Sequence, residues 1–86
     1  MKRATAREMI NALMKTGYNN AIIFYHSPVT NEIESRDMMS TSYSEVLLWA
    51  QRKDTSYKND NISYAIYVNG EMFNSYGEPI MMEDIR

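Results

Sequence analysis

The stretch ISYAIYVNGEMFNSY, Ile62 to Tyr76, decides the fold. Asn69-Gly70 supplies the two positive φ values that a two-residue type I′ turn demands, and β-branched and aromatic residues flank it on both sides. The reading is a C-terminal hairpin of Ile62–Val68 and Glu71–Tyr76. A turn of that length sets the pairing: Val68 faces Glu71, Tyr67 faces Met72, Ile66 faces Phe73, Tyr64 faces Ser75, and Ser63 faces Tyr76. Side chains alternate along a strand, so two faces separate. Ile62, Tyr64, Ile66, Val68 and Phe73 form the richer face, expected beneath helices. Tyr67, Met72 and Tyr76 lie on the other.

Working back from the hairpin, Asp54 to Asn61 is polar and turn-rich and reads as a surface loop. Before it, Ser42-Tyr43-Ser44-Glu45 has the spacing of a capping box, and the apolar block Val46 to Ala50 runs into Gln51-Arg52-Lys53, whose cations suit a helix C-terminus. At about 100° per residue, Tyr43, Val46, Leu47 and Ala50 share one side of this helix, Trp49 lies at its flank, and Leu48 points nearly opposite. Ala21 to His26 is a short apolar and aromatic run, too short for a helix, and predicts a buried strand. Ser27 to Asn31 is turn chemistry. Glu32 to Met39 returns as an exposed edge strand with Ile33 and Met38 as its apolar anchors.

At the N-terminus, Thr5-Ala6-Arg7-Glu8 is a second capping box. Ala6, Met9, Ile10, Leu13 and Met14 follow at helical spacing, and Gly17 offers a C-terminal cap. Beyond Gly77-Glu78-Pro79 the tail Ile80 to Arg86 is expected to dock as a short strand or turn. The sum is an α+β fold, a two-layer sandwich in the order α-β-β-α-β-β, with an antiparallel or mixed sheet and two helices on one face. At 86 residues the chain has room for one domain, residues 1–86.

Composition narrows the function classes. Nine Lys and Arg against eleven Asp and Glu give a net charge of −2, which disfavours generic nucleic-acid binding. Lys2, Arg3 and Arg7 nevertheless gather cations in the first segment. The absence of cysteine removes disulfides, thiolate metal sites and thiol nucleophiles, and fits a reducing, cytoplasmic setting. No apolar run approaches the roughly 18 residues that span a bilayer, so no membrane association is expected.

Catalytic chemistry has little to work with. His26 is the sole histidine, and on a strand the adjacent Ser27 points to the opposite face, which is poor geometry for a nucleophile and its base. One histidine and no cysteine make no metal set, and the three glycines are too dispersed to cradle a phosphate. The expectation is a non-enzyme with no cofactor and no metal. Surfaces remain: seven tyrosines and eight methionines are residues that adapt to a partner.

Leu48 and Trp49 on the second helix, and Tyr67, Met72 and Tyr76 with Tyr25 on the sheet, are therefore the candidate protein-binding residues. RNA-binding sheets with stacking aromatics run β-α-β-β-α-β in basic surroundings, and both order and charge differ here. This cysteine-free mini-domain with a ββαββ segment loosely resembles small phage or mobile-element proteins that bind and block a host factor. The resemblance implies an inhibitor or adaptor with a protein partner, self-association being one form of it. The alternative is a nucleic-acid-associated regulator using Lys2, Arg3 and Arg7. An enzyme built on His26 ranks third.

Overall fold

The structure, a computed structural model, describes residues 3–16 and 20–85. Its elements run β1 (Arg3–Ala4), α1 (Ala6–Thr16), β2 (Ile22–His26), β3 (Ile33–Asp37), α2 (Tyr43–Ser56), β4 (Ile62–Val68) and β5 (Glu71–Asn74), with a 3₁₀ turn at Met82–Asp84. This is an α+β domain of two helices and a five-stranded antiparallel sheet. β4 is central: β2 lies along one side, while β1 and β5 share the other. β3 pairs with β2 and forms the outer edge.

Both helices start on local chemistry. The Glu8 N–H donates to Thr5 Oγ1 at 3.3 Å and the Thr5 N–H to Glu8 Oε1 at 3.1 Å, the reciprocal pair of a capping box. The Glu45 N–H likewise donates to Ser42 Oγ at 3.2 Å. Gly17, the expected cap of α1, lies outside the described residues.

The core joins Met9, Ile10 and Leu13 of α1 and Val46, Trp49 and Ala50 of α2 to Ile23 and Tyr25 of β2 and Ile62, Tyr64, Ile66 and Val68 of β4. The strand residues in it alternate along the chain, so the helices cover one face of the sheet. Met14, placed on the buried stripe by its spacing, is exposed at the stripe's edge.

Three expectations change. First, β1 adds a strand, giving β-α-β-β-α-β-β. Arg3 pairs with Ser63 and Ala4 with Ile62, so the partners that the hairpin reading assigned to the first half of β4 are displaced. Second, β5 stops at Asn74. There the Asn74 side chain accepts from the Tyr76 N–H at 2.9 Å and the Glu78 N–H at 3.0 Å, an Asx turn that diverts the backbone from the ladder. Neither Tyr64–Ser75 nor Ser63–Tyr76 is among the pairs of β4 with β5.

Third, the buried stripe of α2 is Val46, Trp49, Ala50 and Asp54, while Tyr43 and Leu47 are exposed. The helix also runs three residues past Lys53, to Ser56. Asp54 supplies the reason. Its carboxylate accepts from the Ala6 N–H at 2.7 Å and the Arg7 N–H at 3.2 Å, satisfying two donors at the start of α1. A residue that reads as loop is the joint between the helices.

Candidate functional site

The face of the sheet away from the helices is built in rows by the strand register. Asp37, Ile22, Tyr67 and Met72 lie side by side across β3, β2, β4 and β5, and Ser35, Phe24, Ala65 and Asn74 form the next row. Ile22, Phe24 and Met72 are half-buried and Tyr67 is 39% exposed. Phe24 is flanked by Ala65, which is fully buried, and by the exposed Ser35. The result is an apolar and aromatic patch on the face away from α1 and α2, with Tyr67 its exposed member and Ala65 and Asn74 of the next row buried.

Of the sequence-derived residues, Tyr67 and Met72 meet here as an adjacent cross-strand pair. Tyr76, 55% exposed, sits instead on the turn after β5, where its hydroxyl donates to the Arg3 carbonyl at 3.3 Å. Tyr25 belongs to the covered face and is buried. The sequence pattern does not single out Ile22 and Phe24. The run Ala21 to His26 is apolar on both alternations, so periodicity chose neither face; pairing of Ile22 with Tyr67 reveals it.

On α2 the expected pair divides. Leu48 is 46% exposed, whereas Trp49 is only 9% exposed and packs edge-on against Tyr25 with ring centroids 5.8 Å apart. Trp49 thus belongs to the core, while Leu48 is exposed on the outside with Tyr43 and Leu47. Among the basic residues, Lys2 lies outside the described residues. Arg3 and Arg7 border separate depressions, Arg3 with His26, Pro28 and Asp60, and Arg7 with Ile10, Leu47 and Ala50 between the helices. They do not combine into one phosphate-tracking strip.

A tighter gathering of cations appears elsewhere. Arg36, Arg52 and Lys53 border a shallow groove of about 400 Å³ with Tyr25, Trp49 and Ser56. The Arg36 guanidinium lies 5.8 Å from the centre of the Trp49 ring, and Lys53 Nζ lies 5.0 Å from that of Tyr25. Beside them Glu34 accepts from the Tyr25 hydroxyl at 3.2 Å and the Thr30 hydroxyl at 2.8 Å. The Thr30 hydroxyl, and then the Tyr25 hydroxyl against the opposing effect of burial, hold the Glu34 carboxyl below its ordinary range. Burial works against the Lys53 ammonium, but the tyrosine oxygens around it more than offset this and raise its pKa.

His26 is half-buried at the end of β2, in the depression it shares with Arg3, Asp60 and Ser63. Ser27 is committed to structure: its Oγ accepts from the Val29 N–H at 3.2 Å and the Thr30 N–H at 3.3 Å. Among the described residues, no group of three or more His, Cys, Asp or Glu side chains is placed to hold a metal ion. Among the same residues, no helix is long and apolar enough to cross a membrane.

Comparison with protein-family models, with curated proteins and with solved structures finds no match for this chain.

Proposed function

We propose that this chain is a non-enzymatic protein-binding module, an inhibitor or adaptor, that engages a larger protein through the open face of its sheet. The observation that carries the reading is the Tyr67–Met72 pair set beside Ile22 and Phe24 on a face without helices. Tyrosine and methionine present large apolar bodies, and tyrosine adds a polar tip, which suits a surface that is solvated alone and buried in a complex. Four strands hold the patch in place, so binding it orders little chain. Nucleic-acid contact is the second reading. The Arg36, Arg52 and Lys53 groove with Trp49 and Tyr25 supports it better than Arg3 and Arg7, which lie apart.

Affinity capture on the immobilised chain from a lysate of the cell that produces it separates the two. The expected result is a retained protein that survives nuclease treatment and moderate salt. Retention of nucleic acid alone, or of proteins that nuclease releases, would overturn the first reading in favour of the second.

A further inference from the structure

The outer strand β3 carries an arrangement that its monomer leaves unused. Its inward hydrogen bonds are phased by the ends of the β2–β3 ladder: the Ser27 N–H donates to the Glu32 carbonyl, and the Met38 N–H donates to the Ala21 carbonyl, both at 2.9 Å. Closely bonded pairs recur every second residue in an antiparallel ladder, so Glu34 and Arg36, opposite Tyr25 and Ile23, also bond inward. Ile33, Ser35 and Asp37 therefore direct their N–H and C=O groups away from the sheet. Among the described residues, no strand pairs with that side.

An exposed edge is commonly guarded by a bulge, a proline or charged side chains, and charges block another copy only where they do not complement themselves. Ile33-Glu34-Ser35-Arg36-Asp37 has no proline or glycine, pairs with β2 without a bulge, and places opposite charges on either side of a small residue. Turned about a two-fold axis through Ser35, the strand is complementary to itself. Ser35 meets Ser35 of a second copy, Ile33 meets its Asp37, and Glu34 meets its Arg36. In that register all three outward N–H groups and all three outward C=O groups find partners. Glu34 and Arg36 fall at the non-bonded positions, where facing side chains come closest.

We propose that β3 docks antiparallel on β3 of a second copy, centred on Ser35, joining two five-stranded sheets into one and pairing each Glu34 with the opposite Arg36. The side chains are prepared for it. Arg36 is laid over Trp49, which fixes the direction of its guanidinium, and Glu34 is held by two hydroxyls with carboxylate lone pairs still to fill. The interface is isologous, as a closed dimer requires. It uses edge backbone and helix-side charges, not the open-face residues Tyr67 and Met72, so it stands apart from the function proposed above.

Sedimentation equilibrium on the full chain, with circular dichroism to verify folding, tests it by charge exchange. The wild type is expected to go from one chain to two with rising concentration. Glu34→Arg alone and Arg36→Glu alone each set like charges opposite one another and are expected to stay monomeric. An equimolar mixture of the two single variants restores both opposite-charge pairs and is expected to form a heterodimer. A wild type that is monomeric at every concentration overturns the proposal and leaves the edge to a strand from a different protein. Single variants that dimerise as well as the wild type, or whose mixture stays monomeric while the wild type dimerises, also overturn it.

Discussion

On β2, Ile23 and Tyr25 turn toward the helices while Ile22, Phe24 and His26 turn away, and on β4, Tyr64 and Ile66 stand back to back with Ala65 and Tyr67. Both faces are apolar in composition, but the helices cover only one; on the other, Ala65 and Asn74 are buried while Tyr67 stays exposed. Under the helices, Trp49, Tyr25 and Tyr64 form a contiguous aromatic group with neighbouring centroids about 6 Å apart. On the open face, Tyr67 and Met72 keep part of their surface in water. The difference teaches that hydrophobicity alone does not locate the core of so small a domain. What decides is where the amphipathic helices land, and that depends on how the helices are fastened to each other.

The comparison can be broken at its strongest point by truncating neighbours on α2. Trp49→Ala empties a core position and is expected to lower stability by about 3–5 kcal/mol, whereas Leu48→Ala should stay within about 0.5 kcal/mol. Urea denaturation checks both, and comparable losses would mean that the helix presents a different side to the sheet. The fastening itself is next. Asp54→Ala strands one buried and one partly buried N–H group at the start of α1 and is expected to destabilise by about 2 kcal/mol by the same measurement.

A smaller effect has the opposite sign. The Tyr64 hydroxyl is buried without a hydrogen-bond partner, and burial, followed by the charge of Asp54, pushes its phenol far above the usual range so that it stays neutral. Tyr64→Phe removes the unsatisfied group while keeping the ring, and should raise stability by about 1 kcal/mol. A loss of stability in thermal unfolding would show that the hydroxyl does have a partner.

How much of this was legible in the sequence follows from the range of the forces involved. Both helix starts were readable, because Thr5–Glu8 and Ser42–Glu45 are local hydrogen-bonding sets that need no tertiary context. β1 was not, since two residues, Arg3 and Ala4, are a strand only by virtue of β4 beside them. The buried side of α2 was misjudged by one position in the turn. Angular spacing centres the stripe on Tyr43, Val46, Leu47 and Ala50 with Trp49 at its flank, and nothing local announces that Asp54 will be buried to cap a helix 48 residues away. The candidate surface was half legible: Tyr67 and Met72 share a hairpin face, but Ile22 and Phe24 join them only through the β2–β4 register.

The division of labour between the faces is tested most directly by a double substitution on the open one, Tyr67→Ser with Met72→Ser, followed through both unfolding and partner capture. The account predicts an unfolding free energy little changed beside the loss from Trp49→Ala, together with loss of the protein that the wild type retains. A variant that still captures the same protein as strongly as the wild type would contradict the claim that this face is where the chain binds.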